Sequence, residues 1–540
     1  MNERVPSDGR SGSMIGPETQ LAAVQRTEPG APSDWKKYTL FAIIAVLYIL
    51  PFMRILMVGT DEGTLSYGAL RVVRGQVFAR DFFEVIGPGT FYWLAAFFKI
   101  FGVSFFTTRI CLFVTSFGTA CLMYFLSRRI CGKYQALPCV ILAASSFGGL
   151  WPAISHHNDS NCFALMAVAC IALCVDGYSK WLLLAGGILA GLTTCFLQPK
   201  GMLLMVGFVA FVVIQRRAGP GLVSALGQLI LGYTSVVGLV LLYFWREAAL
   251  HDLIYANVVW PSQHYGVVNS VSYGHGILMN YWDHWMAGRT VFPGIVLLSA
   301  IMMIPIMFIA ILPVLLPLIG ARVRWDLQQP QVQLLWLSSI ALWASELHRM
   351  DMTHLVFGSP LLIILSVHFL SAYGGRLARG TLEMLIISSV CLGIFNLLIL
   401  TVAHTVETRI GSVRMFSDWR VPSFVEKNIP AGEEIFCYPY CPSYYFLHDL
   451  VNPTRFSIMV YNYNTQEQFE ETIRLLDQKK VQDVVWDIGF ERDVAKVFIT
   501  GRVPLEQQLM ETYLESHYDV ITVIDGKRLM HRKARVDEPH

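Results

Sequence analysis

About eleven stretches of this chain are apolar for the length a helix needs to enter or cross a bilayer, and they constrain its fold more than any other feature. A membrane helix takes ~20 mostly apolar residues, because in lipid every backbone N–H and C=O must be satisfied within the segment. The runs fall at 38–57, 104–126, 134–151, 161–175, 181–197, 201–214, 222–245, 292–320, 332–344, 355–373 and 382–404. The fourth, sixth and ninth are short, and the pair flanking Gln198–Pro199–Lys200–Gly201 could form one broken hairpin. Composition agrees: 54% of residues are hydrophobic and 15% charged, where a soluble domain is ~25% charged. The predicted fold class is a polytopic α-helical membrane protein of about eleven helices with a small C-terminal α/β domain.

The gaps between runs set an orientation. Lys36 and Lys37, Arg128, Arg129 and Lys133, Lys180, Arg216 and Arg217, Arg322 and Arg324, and Arg376 and Arg379 all fall in alternate gaps. By the positive-inside rule those gaps are cytoplasmic. The other gaps, 59–103, 156–160, 198–200, 246–291 and 345–354, then face outward, as does the C-terminal segment. Residues 1–35 are rich in Gly, Pro, Ser, Thr and Glu, show no signal peptide, and are predicted to be a disordered cytoplasmic N-terminus. Residues 36–404 form the membrane domain and 405–540 an extracytoplasmic α/β domain. The positive charges are scattered, which speaks against a nucleic-acid partner. Most cysteines lie in apolar runs; Cys437 and Cys441 could pair in an oxidising compartment or remain buried thiols.

The first outer loop, 58–103, is not simply polar. Tyr67, Leu70 and Val73 recur at helical spacing with Arg71 and Arg74 opposite, which suits a helix lying in the interface and stopping at Gly75. A second short helix over 90–101 ends at Gly102, after the breaker Gly87–Pro88–Gly89. In 405–540, strands are predicted over 433–438 and 481–486, helices over 466–478 and 505–514, and a hairpin around Asp525–Gly526. The β-α-β order implies a partly parallel sheet. No phosphate loop or nucleophile motif marks a second active site there.

Polar clusters gather on the outward side. Asp61 and Glu62 end the first run; a carboxylate there can act as general base or hold a metal, or can simply cap the next helix. Asp81 lies between Arg80 and Phe82, where it can pair with the arginine. His156, His157, Asn158 and Asp159 can contact a polar substrate or contribute metal ligands, or Asn158, Asp159 or Ser160 can simply cap the fourth helix. Between the ninth and tenth runs, Glu346, His348, Arg349, Asp351 and His354 form a dense charged group at a membrane boundary, which is costly unless used or hydrated. Arg349 and His354 can hold a phosphate, and Arg349 can equally pair with Glu346 or Asp351. Lys200 is a further phosphate candidate, with snorkelling to the interface as the plain alternative. The aromatics of 246–291 are read mainly as interface anchors.

Asp61–Glu62–Gly63, Tyr67–Gly68–Ala69, Gly75–Gln76–Val77, Arg80–Asp81–Phe82, Gly87–Pro88, Tyr92 and Phe101–Gly102 together resemble bacterial members of the GT-C superfamily, glycosyltransferase family 39-like. These are membrane glycosyltransferases related to protein O-mannosyltransferases and to the lipid A aminoarabinose transferase. Gln198–Pro199–Lys200–Gly201 and the Arg349, Asp351, His354 spacing resemble the same group. The resemblance implies a polyprenyl-phosphate sugar donor and a glycan, lipid or protein acceptor at the outer face of a bacterial inner membrane. It implies single displacement with Asp61 as base, assisted by Glu62. Asp81, His157, Asp159, Lys200, Arg349, Asp351 and His354 would bind substrate or donor phosphate. No cofactor is required, though a divalent metal at Asp61 or Asp159 is compatible. The chain departs from the aminoarabinose transferases in having no lysine just after Gly87–Pro88, and it lacks the histidine motif of the eukaryotic protein mannosyltransferases. A flippase for lipid-linked glycans, a non-catalytic assembly subunit, and a transferase using lipid-pyrophosphate glycans are the competing readings.

Overall fold

The computed structural model describes residues 35–56, 59–146, 152–216, 221–265, 271–274, 293–320, 328–416, 420–461, 463–488 and 508–534. The predicted N-terminal disorder, most of 266–291, and the arginines at 217, 322 and 324 lie outside the described residues. The chain divides into two units, Met1–Ile43 and Ile44–His540. The first contains the opening turns of helix α1. Everything below concerns the second.

Each of the eleven apolar runs contains an α-helix among the described residues, the third only over Leu137–Ser145. Nine helices come first: α1 (Trp35–Ile49, continued by a 3-10 turn, Leu50–Arg54), α2 (Gly59–Val73), α3 (Gly89–Phe101), α4 (Phe105–Ser127), α5 (Leu137–Ser145), α6 (His156–Val175), α7 (Trp181–Phe196), α8 (Gln198–Arg216) and α9 (Leu222–Arg246). Helices Pro293–Gly320, Pro330–Ala344, Met352–Gly358, Pro360–Tyr373 and Gly375–Ile399 complete the bundle. Among the described residues, seven helices are long and apolar enough to cross a membrane. An eighth span results if Met352–Gly358 and Pro360–Tyr373, bent by 70° at Ser359, count as one. This is a multi-pass membrane protein. Gln198–Pro199–Lys200 form the first turn of α8, where Pro199 is tolerated, one residue after α7 ends.

The first loop folds as its local chemistry dictates. α2 stops before Gly75 (φ +88°) and α3 at Gly102 (φ +82°), both in the region where a side chain is strained. One expectation is corrected. Arg71 does not lie on a solvated face; it is 5% exposed. Its guanidinium donates to the Asp81 carbonyl (2.6 Å), the Thr454 carbonyl (3.2 Å) and Gln76 Oε1 (2.5 Å). Three carbonyl-type acceptors satisfy a cation that could not otherwise be buried.

What covers α2 is the C-terminal region. The four-stranded sheet has order β3-β4-β6-β5 (β3 Ile435–Tyr438, β4 Asp483–Asp487, β5 Tyr518–Ile524, β6 Lys527–Arg532). β3 and β4 are parallel, and β5–β6 is the expected hairpin around Asp525–Gly526. A preceding hairpin, β1 (His404–Thr408) and β2 (Gly411–Met415), begins where the last apolar run was read as ending. Cys437 and Cys441 are buried free thiols. Helix Pro442–Leu447 packs on α2, with the Tyr67 and Tyr445 rings 4.9 Å apart. The Asn452 amide donates to the Tyr67 hydroxyl at 2.8 Å, and the Phe83 amide to the Arg455 carbonyl at 2.8 Å.

Gly63 makes that approach possible. A methyl group there would run into the backbone of Pro442 and Ser443. Gly63→Ala is expected to cost about 1–3 kcal/mol through overpacking against backbone that cannot move aside. A fall in the melting temperature of the purified protein checks this; an unchanged value would show that the two helices can separate.

Candidate functional site

α2 brings Asp61 and Glu62 into its first turn, so neither is the N-cap; both complement the positive end of the helix. A step of about 100° along a helix turns the two carboxylates apart. Glu62 is 2% exposed and ion-paired with Arg109 of α4, itself 3% exposed. Arg109 also donates to the Pro152 carbonyl at 3.3 Å and lies over the Phe105 ring. Asp61 is exposed on the other side. Its charge reaches Glu84, Tyr440, Tyr463 and Tyr265.

Glu84 was not singled out as a site residue from sequence. It is 7% exposed, and one of its oxygens, Oε1, has no hydrogen-bond partner among the described residues. Burial pushes its carboxyl up to about 8; Ser457 and Arg71 oppose this, and Asp61 adds to it. The raised folded-state value fixes the sign of a pH effect. The stability that Glu84 contributes is fully present below its unfolded value near 4.5 and is lost as pH rises through about 8. The melting temperature should therefore decline between about pH 4.5 and about pH 8 and level off above that, and Glu84→Gln should flatten the decline. Identical pH profiles for the two proteins would remove Glu84 as the cause.

The second group forms at the ends of α6, α8 and helix Pro330–Ala344. Lys200 is fully buried, with Nζ 2.8 Å from Glu346 Oε1 and 2.7 Å from Asn161 Oδ1. Asn161 in turn donates to the Phe357 carbonyl at 2.9 Å. His157 Nδ1 lies 3.2 Å from Glu346, and its ring stacks on Phe357 at 4.7 Å. Burial alone would raise the Glu346 carboxyl, but His157 and Lys200 beside it hold it well below the ordinary range. Asp351 caps helix Met352–Gly358, accepting the His354 amide at 3.1 Å. It also meets His354 Nδ1 at 2.9 Å and Arg349 Nε at 2.6 Å. Burial opposes the charged Asp351, and His354 and Arg349 reverse that and lower it. The His157 and His354 rings lie edge to face at 4.8 Å.

The structure thus joins His157, Lys200, Arg349, Asp351 and His354 in one cluster and adds Glu346 and Asn161, which sequence reasoning had not placed in the site. Charge at a membrane boundary was the signal for Glu346; Asn161, inside an apolar run, gave none. Tyr265 links this cluster to Asp61, since its hydroxyl is within electrostatic reach of Arg349, Glu346, Asp351 and Asp61. Two predicted residues stand apart. Asp81 is paired with Arg80 at 2.9 Å and accepts the Val77 amide at 2.7 Å, which makes it a brace of the first loop. Asp159 is buried, and its charge acts on Cys111 of α4. The capping expectation for 158–160 is also corrected: α6 starts at His156, and Ser155 caps it by accepting the His157 amide at 3.1 Å.

His157, Glu346 and His354 offer one ligand atom each within 4.8 Å of one another, a set of donors that fits a divalent metal. Neither Asp61 nor Asp159 belongs to it. The Lys200 ammonium already supplies positive charge at Glu346 Oε1.

Residues 86–245 match the family model described as Dolichyl-phosphate-mannose-protein mannosyltransferase. The crystal structure of ArnT from Cupriavidus metallidurans bound to undecaprenyl phosphate is 12% identical, with a TM-score of 0.53 over 94% of this chain and 100% of that one. Its apo form matches at the same identity and TM-score, over 94% of this chain and 99% of that one. The Archaeoglobus fulgidus oligosaccharyltransferase tethered with an acceptor peptide is 11% identical, with a TM-score of 0.46 over 94% of this chain and 75% of that one. No curated protein matches. The family match and the ArnT likeness agree with the GT-C resemblance: the chain has a fold like that of ArnT.

Proposed function

We infer that this protein transfers a sugar from a polyprenyl-phosphate donor to an acceptor hydroxyl on the outer face of the membrane. The observation that carries the reading is that an exposed carboxylate, Asp61, and a partly exposed cation, Arg349, both lie within electrostatic reach of Tyr265. The acceptor oxygen attacks the anomeric carbon as the bond to the donor phosphate breaks. Asp61 takes the acceptor proton, and the electron pair leaves on the phosphate oxygen beside Arg349 and His354. Asp351 holds both of those side chains in place. Glu62 and Arg109 fix the first turn of α2, and with it the Asp61 backbone. Lys200 serves as counter-charge to Glu346, with His157 beside it, and Asp159 stands apart from them. If a divalent ion enters at His157, Glu346 and His354, it supplies further positive charge at the leaving phosphate.

The orientation set by the arginine and lysine alternation puts 1–35 in the cytoplasm, and the site and 405–540 outside. The lipid phosphate of the proposed donor is of the kind bound in the ArnT structure, and the acceptor is a glycan, a lipid or a protein.

The test uses purified protein, a polyprenyl-phosphate donor carrying a radiolabelled sugar, and cell-envelope acceptor fractions. Labelled acceptor together with free polyprenyl monophosphate is the expected result. Release of pyrophosphate, or binding without turnover, would overturn the reading. Arg349→Gln should raise the donor KM by about tenfold, the effect of losing one charge-assisted contact to phosphate.

A further inference from the structure

A separate cavity of about 420 Å³ opens where the end of α1, the start of α4 and the β1–β2 hairpin meet. It shares no residue with the Lys200 and Arg349 cluster. Its size falls in the ordinary range for ligand sites. Three arginines line it, Arg54, Arg109 and Arg414, and among the described residues no acidic side chain does.

The charges are not balanced locally. Arg109 is neutralised by Glu62 on its far side. Arg414 is anchored by donating to the Leu400 and Ala403 carbonyls at 2.8 and 2.9 Å, which fixes its position and leaves its charge. Arg54 is exposed and has no ion pair or hydrogen bond among the described residues. The Phe105 amide in the first turn of α4 is already taken by the Ile410 carbonyl at 3.0 Å, so the positive potential comes from side chains. Glu407, which accepts from Ser412 at 2.6 and 2.7 Å, is not part of the lining.

The surroundings identify the phase the cavity opens to. Phe106 on its wall is 72% exposed, and Val402, at the end of the last membrane helix, is 70% exposed. Large apolar side chains this open at the ends of membrane helices face lipid. A cationic pocket with an apolar rim at that depth suits a phosphate carried on acyl chains.

We propose that this cavity binds the phosphate headgroup of an anionic bilayer lipid, at a site distinct from that of the sugar donor. Arg54 and Arg414 contact the phosphate, and Phe106 lies along the acyl chains. The site needs no transfer activity, so its test is independent of the function inferred above.

The full-length protein in detergent would be titrated with phosphatidylglycerol, phosphatidylcholine or inorganic phosphate. Retained lipid would be counted by native mass spectrometry and melting temperature followed alongside. Phosphatidylglycerol is expected to be retained and to raise the melting temperature more than phosphatidylcholine does. Arg54→Gln should weaken its retention about fivefold, the effect of one arginine at an anionic surface. Arg54→Lys should keep most of it. Equal retention of the two lipids, or of phosphatidylglycerol by wild type and Arg54→Gln, would overturn the proposal. A response to inorganic phosphate equal to that to phosphatidylglycerol would overturn the lipid in favour of a soluble phosphate.

Discussion

Asp61→Asn is expected to slow sugar transfer by about 10²–10⁴-fold, the range of a lost general base, with little change in the donor KM. Asparagine keeps the shape and the hydrogen-bonding reach of the side chain but cannot take a proton. Asp61 is exposed, and the ion pair that anchors its helix belongs to Glu62, so the variant should fold. Single-turnover transfer from a labelled donor separates the chemical step from binding. A rate within a factor of a few of wild type, in a protein with unchanged melting temperature, would remove Asp61 from the mechanism. Glu62→Gln provides the contrast. It leaves Arg109 as a buried, uncompensated cation, so its main effect should be on melting temperature, with activity following the folded fraction.

Lys200→Met is expected to destabilise the protein by about 3–5 kcal/mol, because it leaves the Glu346 carboxylate buried without its closest cation. The double variant Lys200→Met with Glu346→Met should recover much of that loss, since it removes both charges and keeps side-chain volume. Thermal or denaturant unfolding of the two single variants and the double variant gives the coupling directly. Additive losses would mean that Lys200 and Glu346 are not partners. Recovery of stability without recovery of transfer would separate the packing role of the pair from its place beside the donor phosphate.

The parts of this protein legible in its sequence are those set by short-range chemistry. Apolar runs declare membrane helices because the bilayer forbids unsatisfied backbone, and all eleven contain a helix, of which seven or eight are long and apolar enough to cross among the described residues. Gly75 and Gly102 end α2 and α3 because a positive φ suits them alone. The Asp525–Gly526 turn closes a hairpin for the same reason. The β1–β2 hairpin was not legible: His404 follows directly on an apolar run, and no turn signal separates span from strand.

The site divides along the same line. Asp61 was legible as a carboxylate at the end of a membrane run, and Arg349, Asp351 and His354 as charges too dense for a membrane boundary. Which of Asp61 and Glu62 is buried and paired and which is exposed was not, because it depends on Arg109, 47 residues away. Lys200 read as a free cation until Glu346 met it. Glu346 meets His157 across 189 residues, and Tyr67 meets Asn452 across 385. The sequence by itself determined a membrane bundle, an elaborate first loop and a terminal α/β region, since periodicity and apolar length act within one element. Only the tertiary structure decided which charges are paired and which are presented. Burying a charge is tolerated only with a partner, and partners come from elements that no local pattern connects.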